Sequence, residues 1–143
     1  MTELLSPTSI TTLTDRLGAI LGPEGLLTDE ESRRLHSADL FGPGGMVAAV
    51  IRPASIEELS AAVTEITRTG LALLPRGGGL TYVQGYVSQA DGAVAVDLRR
   101  MNRILEINEQ DMLITVEAGV TWMQIYEALK PLGLRLPFFG TFS

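Results

Sequence analysis

The sequence predicts an α+β fold, and three patterns along the chain carry this prediction. Short, continuously apolar runs flank an amphipathic helical segment between residues 46 and 98, which is typical of a parallel βαβ unit. Two strand-like runs from residue 103 onward follow each other directly, as in an antiparallel hairpin. A helical period marks the first 22 residues. We therefore expect an N-terminal helix, a small parallel βαβ sheet subdomain and the start of a second subdomain of antiparallel strands.

The composition indicates one folded domain and excludes several classes of function. The 143 residues are 45% hydrophobic and 20% charged, which suits a single core. The net charge is −6 and the arginines are scattered, so we expect no nucleic-acid partner. Without cysteine and with one histidine, neither a disulfide nor a thiolate metal site is expected. The N-terminus does not resemble a signal peptide and no apolar run could span a bilayer, so we expect a cytoplasmic protein.

The first segment predicts a helix that covers one side of the sheet. We expect it to begin near Thr8 or Ser9 and to end at Gly22-Pro23. Its apolar residues recur at spacings of three, four and three, the period of one helix face: Ile10, Leu13, Leu17 and Ile20.

A second short helix is predicted by Thr28 and by Glu31 three residues later, the pattern of a capping box. His36 lies in this stretch among charged neighbours. A lone histidine without partner residues nearby in the sequence is interpreted as solvent-exposed.

The βαβ unit begins at MVAAVIRP, residues 46–53, an apolar run typical of a strand buried on both faces. Ser55 and Glu58 form a capping box at the start of the helix that follows, and Gly70 ends it. Two further strands are predicted at residues 71–75 and 92–98. The apolar face of the helix is Ile56, Leu59, Val63 and Ile66.

The antiparallel part is predicted from RILEIN and DMLITVEAG, two runs joined by Glu109-Gln110 or a slightly longer loop. Thr121 and Gln124 form another capping box, which begins a helix that Pro131 and Gly133 stop. The predicted buried face of this helix is Trp122, Ile125 and Leu129.

The stretch LLPRGGGLTYVQG, residues 73–85, predicts a ligand site. Three consecutive glycines lose much backbone freedom on folding, so we expect something to approach the backbone there. A Walker loop is excluded, because it ends in Lys followed by Ser or Thr, and the only lysine, Lys130, precedes a proline. A Rossmann fingerprint is excluded because position 82 is Tyr and no helical pattern follows.

What remains is a nest of backbone N–H groups that binds an anion, with a wide glycine-rich turn as the alternative. Thr81 could add a hydroxyl donor to a phosphate oxygen. Arg76 is the adjacent cation, although a structural role, paired or solvated, is equally consistent with its place at a strand end.

These motifs together carry a resemblance to a known family. PRGGGLTY at 75–82 is preceded by RPASIEEL at 52–59 and followed by VAVDLRRMNRILEIN at 94–108, VEAGVTWMQIYEALKPLGLRLP at 116–137 and PFFGT at 137–141. The chain resembles the first half of the FAD-binding domain of FAD-linked oxidases, the vanillyl-alcohol oxidase and p-cresol methylhydroxylase (PCMH) superfamily. On this resemblance, residues 1–45 are an N-terminal helical lead-in and residues 46–143 are the first part of a PCMH-type FAD-binding domain.

The resemblance implies that FAD is the cofactor and that the glycine loop wraps its pyrophosphate. Some members of the family tether the flavin through a histidine directly after the glycines, whereas this chain has Leu80 there, so it implies non-covalent FAD. The residues implied on the dinucleotide side are Pro75, Arg76, Gly77, Gly78, Gly79, Leu80, Thr81 and Tyr82, and those on the flavin side are Pro137, Gly140 and Thr141.

The resemblance also implies a parent enzyme that oxidises an alcohol or a 2-hydroxy acid, with a separate substrate domain. The apolar last residues, with Phe138, Phe139 and Phe142, lead us to expect a truncated chain. Two alternatives stay open: a subunit of a split oxidase whose apolar tail meets a partner, and a non-catalytic nucleotide- or anion-binding module. No catalytic residue is predicted, and the strand carboxylates are interpreted as facing solvent: Asp97, Glu106 and Glu117.

Overall fold

The computed structural model describes residues 7–79, 81 and 83–138, and it has the predicted α+β architecture. Two single 3₁₀ turns, at Leu98–Arg100 and Lys130–Leu132, follow the last strand of the main sheet and the last helix. In chain order the helices and strands are α1 (Pro7–Gly25), β1 (Leu26–Leu27), α2 (Glu30–His36), β2 (Ala38–Asp39), β3 (Gly42–Pro43), β4 (Ala49–Ile51), α3 (Ile56–Thr67), β5 (Leu73–Arg76), β6 (Val94–Asp97), β7 (Ile104–Asn108), β8 (Leu113–Val116) and α4 (Trp122–Leu129).

The main sheet has four strands in the order β1-β4-β6-β5. The parallel βαβ unit is present, and β6 lies between its two strands, pairing in parallel with both β4 and β5. The short strand β1 closes the other edge by antiparallel pairing with β4. All four residues of β6 are buried, as expected for a central strand covered on both faces.

Helices α1 and α3 pack on one face of this sheet, so the residues before position 45 contribute to the same core as those after it. Helix α1 ends its regular course at Gly22, whose φ of 67° places it in the left-handed region that glycine tolerates, as predicted. Side chains from both helices and from β4 and β6 form this core: Leu13, Leu17, Leu21, Ile51, Ala62, Ile66, Val94 and Val96.

Helix α3 is capped by Ser55, whose side chain accepts a hydrogen bond from the backbone N–H of Glu58. The Glu58 carboxylate accepts from the N–H of Ala54, one residue before the cap. The apolar face is rotated from the predicted one, because Ala62 is fully buried whereas Ile56 is 61% exposed. Gly70 has a φ of 75° and follows the end of the helix as predicted.

The predicted start of the second helix is wrong by one residue. Asp29, not Thr28, caps α2, and its carboxylate accepts from the backbone N–H of Ser32. Aspartate is as good an N-cap as threonine, so the local pattern did not separate the two positions.

The antiparallel hairpin is confirmed as β7 paired with β8. Thr121 and Gln124 form the predicted capping box at the start of α4. Ile125 and Leu129 are buried, but the interpretation of Trp122 as a core residue is wrong, because its side chain keeps 37% exposure at the first position of the helix.

Candidate functional site

The glycine loop leaves the carboxyl end of β5, the edge strand of the main sheet. Pro75 is tolerated in this strand because an edge position leaves one side of the backbone unpaired. The three glycines meet different surroundings. A Cβ on Gly77 would lie 3.3 Å from the carbonyl oxygen of Ala118, Gly79 has a φ of +87°, and a Cβ on Gly78 would meet nothing within 4 Å. Gly78 therefore borders open space.

A cavity of about 210 Å³ lies against this loop. It brings together four of the predicted site residues, Arg76 and the three glycines. Three further lining residues were not predicted: Leu35, His36 and Arg99. The described lining therefore combines bare backbone with two guanidinium groups and an imidazole.

Arg76 has the structural role that the sequence left open. Its Nη2 donates to the carbonyl oxygen of Ala38 at 3.0 Å and its Nη1 to that of Leu35 at 3.4 Å. Its guanidinium also lies 5.2 Å from the ring centroid of Tyr86, within the range of a cation–π contact. The arginine thus fastens α2 and β2 to the start of the glycine loop.

The interpretation of Asp97 as solvent-facing is wrong, because its side chain is fully buried at the end of β6. Arg99 donates to it from Nε at 2.9 Å and from Nη2 at 2.6 Å. Nε2 of His36 lies 3.5 Å and Nε of Arg52 lies 3.6 Å from Oδ2 of the same carboxylate. We call these four residues the Asp97 cluster.

Charge explains why a carboxylate is stable in this position. Burial alone raises the pKa of Asp97, but hydrogen bonds from Arg99 and His36 outweigh it and hold that pKa well below its usual range. The interpretation of His36 as solvent-exposed is also wrong, since it is 4% exposed. Its Nδ1 lies 2.8 Å from the carbonyl oxygen of Ser32, so both ring nitrogens face protein oxygens.

Glu117 is the second carboxylate whose interpretation as solvent-facing is wrong, whereas Glu106 is exposed as expected. Arg103 donates to Glu117 from its backbone N–H at 2.7 Å, from Nε at 3.0 Å and from Nη2 at 2.6 Å. The hydrogen bonds from Arg103 lower the pKa of this carboxyl. The pair joins the start of β7 to the end of β8 and does not line the glycine cavity.

The remaining predicted site residues do not join the cavity in the described structure. Thr81 donates its single hydroxyl proton to the carbonyl oxygen of Val83 at 2.7 Å, so that proton serves its own loop. Pro137 lines a separate, mainly apolar cavity of about 450 Å³ between the hairpin and α4. Four residues fall outside the described part of the chain: Leu80, Tyr82, Gly140 and Thr141.

Two features are absent from residues 7–79, 81 and 83–138. None of the helices there combines the length and the apolarity that a membrane span requires. The same residues contain no cluster of three or more metal-ligating side chains.

Comparison with known proteins decides the family. A family model described as "FAD binding domain" matches residues 47–143. The chain belongs to this FAD-binding family. FAD is its cofactor.

Individual relatives agree with this membership. A 1'-carboxy-chondrochloren decarboxylase of Chondromyces crocatus is 35% identical over 118 residues, covering 82% of this chain and 22% of the relative. A D-2-hydroxyglutarate dehydrogenase of Stutzerimonas stutzeri is 33% identical over 128 residues, covering 87% of this chain and 27% of the relative. The structure of a p-cresol methylhydroxylase with substrate bound superposes with a TM-score of 0.77 at 20% identity, covering 91% of this chain and 26% of that one, and confirms the fold.

The chain therefore spans about a quarter of the length of the relatives that it matches.

Proposed function

We propose that the cavity beside Gly77–Gly79 holds the diphosphate of FAD, and that FAD is bound without a covalent link. The observation that carries the proposal is the lining of the cavity: bare glycine backbone, two arginines and a histidine, with no carboxylate among its described residues. A diphosphate requires N–H donors and positive charge in such a recess. When bound, FAD supplies the electron acceptor, and the protein supplies binding and orientation.

The fit depends on how each part of the loop is used. Open space next to Gly78 lets a phosphate oxygen approach the backbone, whereas at Gly77 an added Cβ would lie only 3.3 Å from the carbonyl oxygen of Ala118. We propose that Pro75 and Arg76 border the cofactor. The residues proposed to extend the dinucleotide side are Leu80, Thr81 and Tyr82, and those proposed for the flavin side are Pro137, Gly140 and Thr141. Leu80, at the position of the tethering histidine of some relatives, supports the absence of a covalent link.

For the complete protein we propose the oxidation of an alcohol or a 2-hydroxy acid. The similarity to a D-2-hydroxyglutarate dehydrogenase supports this reaction class. The similarity to a 1'-carboxy-chondrochloren decarboxylase supports a second candidate, a decarboxylation. Turnover of D-2-hydroxyglutarate with an artificial electron acceptor, measured on the complete protein, tests the first candidate. Release of carbon dioxide from a carboxylated substrate tests the second.

Two finer assignments stay predictions from the sequence. If a separate chain completes the oxidase, we expect FAD to be retained only when this chain is purified together with that partner. The cytoplasmic location predicts that an antibody against the chain detects it in the cytoplasmic fraction of cells.

The diphosphate site is tested by substitution at Gly78. Gly78→Ala and Gly78→Val are expected to fold, because a Cβ at this position meets no protein atom within 4 Å. Both place carbon where a phosphate oxygen approaches, and loss of even one charged hydrogen bond, worth about 1.5–3 kcal/mol, raises the Kd for FAD on the order of 10-fold to 100-fold. Flavin fluorescence during titration of the purified complete protein measures the Kd, and circular dichroism reports the fold.

Gly85→Ala is the matched control, because Gly85 lies in the same loop outside the cavity and its Cβ would meet only ordinary contacts, the nearest at 3.6 Å. It is expected to bind FAD like the unsubstituted chain. Unchanged FAD affinity in Gly78→Val would refute the proposed cradle. Binding of ADP or pyrophosphate without binding of FAD would favour the nucleotide- or anion-binding module.

A further inference from the structure

We propose that Asp97 is a positioning residue for the glycine cavity, and that it holds Arg99 and His36 so that the cavity presents a fixed positive wall to a diphosphate. This inference rests on the proposed function. Arg99 would be the side chain that contacts the diphosphate, His36 would form the wall of the cavity beside it, and Asp97 would act only by holding these two side chains in place.

The first step of the argument is the place of Asp97 in the sheet. It is the last residue of β6 and pairs with Arg76, the last residue of β5, immediately before the glycines. The carboxyl ends of these parallel strands therefore lie side by side. In open α/β sheets, ligands bind at this end of the strands. Asp97 does not itself line the cavity, although His36 and Arg99 on either side of it do.

The second step is the geometry of the guanidinium. Arg99 is half-exposed, with 55% of its side chain accessible, and an unrestrained arginine of that exposure samples many rotamers. Two parallel hydrogen bonds, from Nε and from Nη2 to the two oxygens of Asp97, hold its planar fork in one orientation. Nη1 takes no part in these two bonds, which leaves that edge of the fork for a ligand.

The third step is the orientation of the imidazole. Residue His36 is almost fully buried, and its ring is held between the Ser32 carbonyl oxygen at Nδ1 and the Asp97 carboxylate at Nε2. The ring cannot rotate without breaking both contacts, so its position in the cavity wall is fixed by the same carboxylate that holds Arg99.

The fourth step is the balance of charge. Arg52 and Arg99 both lie within 3.6 Å of the single carboxylate of Asp97, and Arg76 adds a third guanidinium to the same end of the sheet. Two guanidinium groups therefore lie against the one carboxylate of Asp97, so these three residues together carry a net positive charge. Nε of Arg52 is buried and has no hydrogen-bond partner among the described residues, which indicates that the cluster carries more donors than the carboxylate alone satisfies.

The experiment measures, on the complete protein, the Kd for FAD and the Kd for inorganic pyrophosphate, the latter obtained from competition with FAD and corrected for the FAD concentration and its Kd. Arg99→Gln is expected to raise both values by the same factor, on the order of 10-fold to 100-fold, because it removes one charged contact to the diphosphate. Asp97→Asn is expected to raise both to a similar extent. In the Asp97→Asn background, Arg99→Gln should then cost less than about 3-fold, because residues that act as a unit are not additive.

Arg103→Gln is the matched control, since Arg103 also binds a buried carboxylate, Glu117, but lies outside the cavity. It should change neither value. If Asp97→Asn does not fold, Asp97→Glu keeps the charge and displaces the fork, and the same parallel loss is expected.

The outcomes separate this inference from the proposed function. If FAD binds and Gly78→Ala weakens it, but Arg99→Gln leaves both values unchanged, the positioning role is overturned and the diphosphate cradle stands. Additive losses in the double variant, or a loss for FAD without one for pyrophosphate, also overturn it. If the complete protein, with every chain that belongs to it, binds no FAD, the proposed function itself is refuted.

Discussion

Among the glycines around the site, Gly119 is the one at which the addition of a single methyl group is expected to lower the stability most. Its backbone N–H donates to the carbonyl oxygen of Met101 at 2.8 Å, which holds the end of the hairpin against the segment that follows β6. In Gly119→Ala, the new Cβ would lie 2.1 Å from the carbonyl oxygen of Leu98, 2.8 Å from that of Met101 and 2.9 Å from the Cα of Arg99. All three neighbours are backbone atoms, so no side-chain rotation relieves the overlap.

The magnitude follows from these distances. The Leu98 oxygen would have to recede by about 1.3 Å to reach ordinary contact at 3.4 Å. Overpacking typically costs about 1–3 kcal/mol, and the strained hydrogen bond to Met101 adds about 1 kcal/mol. We expect the free energy of unfolding to fall by about 3 kcal/mol and, at roughly 3–4 °C per kcal/mol for a chain of this size, the melting temperature to fall by about 10 °C.

Urea denaturation followed by circular dichroism measures this loss, with Gly78→Ala as the control that adds the same methyl group to open space. The control is expected to stay within about 0.5 kcal/mol of the unsubstituted chain. A Gly119→Ala variant with the stability of the control would show that the packing of this turn against Leu98–Arg100 is wrong.

Two further predictions concern pH and capping. Because the pKa of Asp97 is lower in the folded than in the unfolded chain, its stabilisation is fully present above about pH 4 and is lost as the pH falls below that value. In urea denaturation at pH 2.5–6, the free energy of unfolding of Asp97→Asn should fall less steeply with decreasing pH than that of the unsubstituted chain. An equally steep fall would contradict the lowered pKa of Asp97. Thr121→Ala removes the hydroxyl that accepts from the backbone N–H of Gln124 and should cost about 1 kcal/mol in the same assay, whereas Thr115→Ala, at a solvent-exposed strand position, should cost less. Equal costs for the two threonines would argue against the cap.

Local features of the fold could be predicted from the sequence because their causes lie within a few residues. The end of α1 at Gly22, the caps at Ser55 and Thr121 and the β7–β8 hairpin each depend on short-range hydrogen bonds or backbone conformation. Where two neighbouring residues suit the same role, as Thr28 and Asp29 do, the local pattern cannot choose between them.

Burial of the site residues could not be predicted in the same way. His36 and Asp97 are 61 positions apart, and their contact depends on how α2 packs against the end of β6. The predicted parallel sheet did indicate that Asp97 lies near the glycine loop. The strand with Asp97 at its end and the strand before the glycines are parallel, so their carboxyl ends lie close together. Asp97 could have been placed beside the loop on that ground, although its three basic partners could not.

Trp122 shows a limit of periodicity. Of the predicted buried face, Ile125 and Leu129 are buried, whereas Trp122 is not. The spacing of apolar residues gives the direction of a face but not the extent of the surface that covers it, so the first turn of α4 remains partly accessible.

The central place of β6 has a consequence for how the chain acquires its structure. Until residues 94–97 have been synthesised, β5 has no neighbour at all and β4 has only the two-residue strand β1. The β7–β8 hairpin can therefore form by pairing of neighbouring segments. The main sheet can form only when β6 inserts between β4 and β5, which are synthesised earlier. The Asp97 cluster cannot form before β6 has entered the sheet, because Asp97 is the last residue of that strand.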